Sequence, residues 1–267
     1  MYNFIAKLLN FIESSTDHTK IDVIIAEYIL RHVEQIPDMS IYDLAKACHT
    51  SPATITRFCR KFENITFKEL KEYARHYIEF NYSEVNLEKI NTNANRQNLD
   101  LYFKELQDSL EETKKLLQSQ DIFEVVQNIH QAHKVAFFGV TFSHLLARNA
   151  QFKFMRLGKY SSAYSNHENQ LNEAQSLTEK DLAVIFSFSG QTRFITRLVK
   201  LLSQRGIPII AITGNNESFL ASRAKKVILV SERRLISHKS PILEEISLLS
   251  VLNSIYLIYS TYLNSIE

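Results

Sequence analysis

The chain has 267 residues, with 31 Lys and Arg against 29 Asp and Glu, 45% hydrophobic and 22% charged residues. That is an ordinary globular mixture with enough length for one or two cored domains, and it is unlike a disordered or fibrous chain. Five glycines and four prolines are few for this length, so helices should dominate and an all-β sandwich is not expected. A net charge of +2 provides no global polycation, so any nucleic-acid site must be a local patch.

Residues 1–12 place Phe4, Ile5, Leu8, Leu9 and Ile12 on helical spacing. Lys7 interrupts the apolar run and no small-residue cleavage site follows, so this is an amphipathic helix rather than a signal. Helical patterning continues to residue 82, which predicts a small all-α domain over 1–82. Cys48 and Cys59 lack the spacing of a disulfide framework or a zinc motif and read as small apolar fillers in a protein of the reducing cytoplasm.

Two helix starts fall inside that domain, one capped by Ser40 and one by Ser51, with Pro52 at the first helical position where its missing amide hydrogen costs nothing. A three-residue connection, Cys48-His49-Thr50, joins them, and Ile55, Phe58 and Phe62 form the inward stripe of the second helix. The pattern is that of a helix-turn-helix. Thr54, Thr56, Arg57, Arg60 and Lys61 fall away from the stripe, and with Ser51 they make the candidate DNA-binding face. Arginine can contact guanine edges bidentately, threonine can reach bases or phosphates, and the helix N-terminus attracts anions. Residues 46–75 hold seven cations and three carboxylates, a local +4 that the rest of the domain hides. Double-stranded operator DNA is the expected partner.

Residues 83–99, rich in asparagine and poor in apolar periodicity, read as a linker, and residues 100–267 as a second domain. After helical stretches at 101–117 and 122–129, four apolar bursts at 135–140, 182–188, 207–212 and 227–230, with a weaker one near 161–164, are too short for helices. They alternate with amphipathic stretches, including 144–157 and 192–204. Strands apolar on both faces with helices between them predict an α/β doubly wound domain with a parallel five-stranded sheet. Residues 244–263 form a last helix with more apolar surface than one stripe needs, which points to packing against a second subunit in a homodimer or higher oligomer. Serine, threonine and asparagine spread along it argue against a membrane span.

The most informative segment is the buried strand that runs into Ser187-Phe188-Ser189-Gly190-Gln191-Thr192 and opens a helix. Ser187, Ser189 and Thr192 can donate to phosphate oxygens, Gly190 permits close backbone approach, and amides from Gln191 onward add donors, with no lysine or metal required. The first strand ends in Gly139-Val140-Thr141-Phe142-Ser143, where Ser143 can cap the following helix or donate to a ligand. In a doubly wound sheet both loops border the switch point where ligands bind.

These motifs resemble the RpiR-type bacterial transcriptional regulators, a helix-turn-helix domain followed by a sugar isomerase (SIS) domain, over nearly the full length. Ser40-Ile41, Leu44-Ala45, Ser51, Ala53-Thr54-Ile55, Arg57-Phe58 and residues 67–71 carry the N-terminal likeness. The resemblance implies a phosphosugar effector bound through Ser187, Ser189, Gly190 and Thr192 and through the loop of Gly139 and Ser143, sensing without catalysis; Gln191 is counted with these site residues, and no cofactor or metal is expected. The chain departs from the pattern at Thr141, where the first loop usually has its second glycine, at His49 and Glu63, and at Ser240-Pro241, where a Ser-Arg pair is usual. Two alternatives stand: a phosphosugar isomerase, for which His167, Glu168, Glu173, Glu244 and Glu245 are the conceivable bases, or a regulator whose SIS domain only dimerises.

Overall fold

The computed structural model describes residues 3–13, 15, 17, 19–63, 65–82, 95–235, 237, 238 and 240–266. The chain divides into two compact units, residues 1–85 and 86–267. Most of the stretch read as a linker, 83–94, lies outside the described residues. Residues 95–99 are helical, so the second unit's first helix starts earlier than the asparagine content implied.

The first unit contains α1 (Asn3–Glu13), α2 (Ile21–Arg31), α3 (Ile41–Ala47), α4 (Pro52–Glu63) and α5 (Phe67–Tyr82). Leu8, Ile25, Ile29, Leu44, Ile55, Phe58 and Leu70 are fully buried in one shared core. Phe58 stacks on Phe62 at 5.6 Å between centroids and meets the edge of Phe11 at 5.7 Å. The helix starts are fixed by side chains. Ser40 Oγ accepts from the Asp43 amide at 3.2 Å while Asp43 accepts from the Ser40 amide at 2.9 Å, and Thr66 and Glu69 repeat this reciprocal box before α5. Each such cap contributes about 1 kcal/mol.

The second unit contains α6 (Asn95–Gln118), α7 (Ile122–Gln131), β1 (Val135–Phe138), α8 (Phe142–Arg156), β2 (Ser161–Ser162), α9 (His167–Ser176), β3 (Leu182–Phe186), α10 (Arg193–Gln204), β4 (Ile209–Thr213), α11 (Phe219–Arg223), β5 (Lys226–Leu229) and α12 (Ile242–Ile266). The sheet is all parallel in the order β2-β1-β3-β4-β5. The strands end sooner than their apolar runs: 139–140 and 187–188 already turn out of the sheet into the loops that follow.

Side chains alternate across the sheet. Phe137, Val184, Phe186 and Ile212 face α7, α8 and α12, while Phe138, Ala183, Ile185 and Ala211 face α9, α10 and α11. With both faces covered, the inner strands β1, β3 and β4 are almost wholly apolar, whereas the edge strands β2 and β5 carry Ser161, Ser162 and Lys226. By length and hydropathy α12 would also suit a bilayer, but Leu248, Val251, Leu252, Ile255 and Tyr259 are buried against the sheet layer. Much of the apolar surface expected to meet a second subunit is therefore covered within the chain, and Leu257 and Ile258 remain exposed.

Candidate functional site

In the first unit α3 and α4 form the helix-turn-helix. The turn is closed by the Thr50 amide donating to the Ala45 carbonyl at 2.8 Å. His49 holds φ at 51°, a left-handed backbone that favours glycine, so the turn keeps its shape despite the side chain. Ser51 Oγ accepts from the Thr54 amide at 3.2 Å and lies 3.0 Å from Thr54 Oγ1, which makes Ser51 the cap and leaves Thr54 half-buried beside it. Thr56 Oγ1 donates to the Pro52 carbonyl.

Arg57 and Arg60 are exposed and lie one turn apart, off the buried Ile55, Phe58 and Phe62 stripe, with no ion pair among the described residues. Lys61 differs from the expectation of a free cation: its Nζ lies 2.6 Å from Asp22 Oδ2 of α2. Its charge is partly committed to holding two helices together. Cys48 and Cys59 are buried free thiols, each pushed up to about 11 by burial, so neither is a thiolate at neutral pH.

In the second unit the strand order reverses between β1 and β3, which opens a crevice at their carboxyl ends. The loop after β3 borders it. Ser187 Oγ accepts from the Gly190 amide at 3.2 Å, Ser189 Oγ from the Gln191 amide at 3.5 Å and Thr192 Oγ1 from the Ile195 amide at 3.4 Å. Each hydroxyl oxygen is thus held by the loop's own backbone while its O–H is left to donate, and the first-turn amides of α10 lie beside them. Thr192 is the cap of α10, whereas Gln191 is exposed.

Gly190 is required for a reason other than ligand approach. Its φ is +62°, and a Cβ there would collide with the Oγ and Cβ of Ser218, the residue that caps α11. Its carbonyl accepts from the Leu220 amide at 3.3 Å. Phe188 ties the loop to the neighbouring strand end, with its carbonyl accepting from Thr213 Oγ1 at 2.9 Å and from the Gly214 amide at 3.0 Å.

The first loop departs from expectation at its cap. Thr141, not Ser143, precedes α8, and Thr141 makes no side-chain cap bond. Ser143 sits inside the first turn, where its carbonyl lies so close to Gly139 that a Cβ at 139 would collide with it. Thr141 holds φ at 53° and ψ at −122°, so the glycine-like backbone survives with a β-branched residue in it, a strain of order 1–3 kcal/mol. Sequence reasoning missed the brace for this loop. The buried Gln170 on α9 donates through Nε2 to the Gly139 carbonyl at 3.0 Å and accepts at Oε1 from its amide at 3.4 Å.

The five conceivable bases are scattered. His167 stacks on Phe194 at 3.9 Å, and Glu168 is exposed. Glu173 is paired with Lys134 at 2.5 Å and accepts from Ser162 Oγ, at the amino end of β1 away from the crevice. Glu244 is buried, with Oε1 3.3 Å from Arg234 Nε and Oε2 lacking a hydrogen-bond partner among the described residues; the Arg234 guanidinium in turn lies 5.6 Å from the Phe188 ring centroid. Burial raises its pKa. Burial, and then the Glu244 charge, push Glu245 up to about 7, while burial and then Arg148 push His144 down to about 4. Among the described residues no cluster of three or more His, Cys, Asp or Glu could hold a metal.

These shifts set opposing pH windows. The Glu245 contribution is fully present below its ordinary value of 4.5 and is lost as pH rises through about 7, whereas the His144 contribution is present above 6.5 and is lost as pH falls toward about 4. Between 4.5 and 6.5 they largely cancel. Glu245→Gln is therefore expected to stabilise the protein at pH 8 by about 1–2 kcal/mol after discounting for partial exposure, with little effect at pH 4.5. Thermal unfolding of both proteins at the two pH values measures this, and an equal effect at both would refute the assignment.

Together, a helix-turn-helix unit and a doubly wound unit with a hydroxyl-lined loop at its switch point define a helix-turn-helix regulator with a sugar-isomerase-type second domain. The family model for the rpiR-family helix-turn-helix domain matches residues 6–78, and that for the SIS domain matches residues 128–259. The HTH-type transcriptional regulator HexR of Pseudomonas aeruginosa is 30% identical over 207 residues, covering 77% of this chain and 73% of HexR. An uncharacterized HTH-type transcriptional regulator of Caldanaerobacter subterraneus subsp. tengcongensis is 28% identical over 258 residues, covering 92% of this chain and 87% of that protein. The chain belongs to the rpiR family of helix-turn-helix transcriptional regulators that carry a SIS domain. The structure of the Vibrio vulnificus NanR protein complexed with ManNAc-6P shares its fold, with a TM-score of 0.55 at 21% identity, covering 96% of this chain and 91% of that one.

Proposed function

We propose that this regulator reads duplex operator DNA through α4 and that a phosphosugar bound at the β1/β3 crevice changes its operator affinity. The observation that carries the effector half is the loop of Ser187, Ser189 and Thr192, whose oxygens accept from backbone amides and whose hydroxyls donate no hydrogen bond among the described residues. Ser143 and Gln191 border the same crevice, and Gly190 shapes it. Sugar phosphates are the effector class that fits a hydroxyl- and amide-lined anion site, and NanR was solved with a ligand of that class. The protein acts as a homodimer in the cytoplasm, senses without turnover, and needs no cofactor or metal. Effector binding biases one placement of the DNA-reading heads over another.

On the DNA side, Arg57 and Arg60 are the base-reading candidates, with Ser51, Thr54 and Thr56 at the helix start and Lys61 at the backbone. Arg57→Ala or Arg60→Ala is expected to weaken operator binding by about 1–3 kcal/mol, whereas Lys61→Ala should cost less because its charge is shared with Asp22. Gel shifts at fixed salt decide this, and unchanged affinity in both arginine variants would remove α4 as the reading helix.

On the effector side, thermal shifts with hexose, amino-sugar, pentose and N-acetylmuramic acid phosphates beside the free sugars test the proposal. A saturating effector at about 100 times Kd stabilises by roughly 2.7 kcal/mol. The shift should require the phosphate and fall in Ser189→Ala, with operator binding retained. No shift with any compound would leave the domain as a dimerisation module. Conversion of the bound sugar, abolished in Glu245→Gln, would establish an isomerase instead.

A further inference from the structure

A second open concavity lies apart from the β1/β3 crevice. It is a groove of about 600 Å³ between α9 and α10, and none of the serine-loop residues lines it. Arg193, Arg197 and Lys200 project into it from positions i, i+4 and i+7 of α10, one face of the helix. The lining contains no carboxylate, and none of the three cations has an ion-pair partner among the described residues. Lys200 Nζ instead lies 5.8 Å from the Phe219 ring centroid, a contact that leaves its charge available. Thr196 adds a hydroxyl between the cations, and Leu171 and Leu201 form an apolar wall.

Three like charges along one helix face repel one another unless an anion joins them. They spread over roughly 10 Å of helix axis at 1.5 Å per residue, a longer reach than a single phosphate monoester needs. The volume falls within the range of small-ligand sites, and a concave groove between two helices suits a small anion better than the convex surface of a duplex. We infer that the α9/α10 groove is a second ligand site that takes a linear oligophosphate, the chemistry shared by inorganic tripolyphosphate and a nucleoside triphosphate. Its cations would engage successive phosphate groups, and the leucine wall would meet the nucleoside where one is present. The assignment is independent of the phosphosugar reading.

Calorimetric titration of the intact protein with sodium tripolyphosphate, and separately with ATP, tests it. Saturable binding is expected for both, weakened about tenfold or more in the double variant Arg197→Gln, Lys200→Gln, whose unfolding temperature stays at the wild-type value. Ser189→Ala should leave this binding unchanged, which separates it from the crevice. Equal affinity for the two probes assigns the site to the phosphates alone, and tighter ATP binding adds contact with the leucines. Absence of saturation at millimolar concentration, or undiminished affinity in the double variant, overturns the proposal. Loss of non-specific duplex binding in that variant, with neither small anion competing, also overturns it and makes the groove a nucleic-acid face.

Discussion

Replacing Gly190 by alanine is expected to abolish the phosphosugar-dependent thermal shift, a loss of about 100-fold or more in effector affinity, and to lower the stability of the second unit by about 3 kcal/mol. Two costs add. The left-handed backbone at φ +62° is unfavourable by roughly 1–2 kcal/mol for a residue with a Cβ. That Cβ would also collide with buried Ser218, which cannot retreat without giving up the cap it provides to the Ala221 amide at 3.1 Å. If the backbone relaxes instead, the Gly190 amide leaves Ser187 Oγ and the hydroxyls lose their common orientation. The second substitution Ser218→Gly removes the clash but also the Ser218 cap, so the double variant should recover some stability but not all of it. Calorimetry and effector titration on the three variants measure both quantities, and a Gly190→Ala protein with wild-type effector affinity would refute this account of the loop.

Phe58→Ala should have an equally large effect on the first unit. Phe58 is fully buried, stacks on Phe62 and meets Phe11, so its truncation removes transfer free energy and leaves a cavity, a loss of about 3–5 kcal/mol. Total stabilities of small domains are about 5–15 kcal/mol, so the variant head is expected to lose a large share of its stability and to unfold at a clearly lower temperature. Operator binding should be lost at a lower temperature than in the wild type while the thermal shift with effector survives, because no serine-loop residue belongs to this core. Two separable calorimetric transitions, with only one displaced, are the expected record. A single transition displaced as a whole would show that the units unfold together.

The α/β order was legible because burial on both faces of a parallel sheet leaves an unmistakable trace, short apolar bursts at 182–188 and 207–212, which hold β3 and most of β4, with amphipathic helices between. The helix-turn-helix was legible from local chemistry: caps, Pro52 and the stripe of α4. What escaped was non-local. Lys61 and Asp22 are 39 residues apart, and nothing near either one announces their pairing. Gln170 sits in a polar helix with no motif, yet it braces Gly139 from 31 residues away. Thr141 carried a signal, a threonine at a glycine position, and the left-handed backbone there shows that the fold imposes the turn on the residue. Of the two roles open to Ser143, the cap position falls instead to Thr141, because a serine near a helix start looks the same at the cap as in the first turn.

The brace on the first loop has a counterpart at the opposite end of the same strand. Gln170 holds Gly139, the residue after β1, while Glu173, one turn further along α9, holds Lys134, the residue before β1. One helix face therefore brackets a four-residue strand at both ends, and it belongs to a connection made later in the chain. The loop after β1 is held by this calliper as well as by strand pairing. Altering Lys134, at the far rim of the domain, would release one jaw and let the loop be felt as looser by a ligand that never touches that rim.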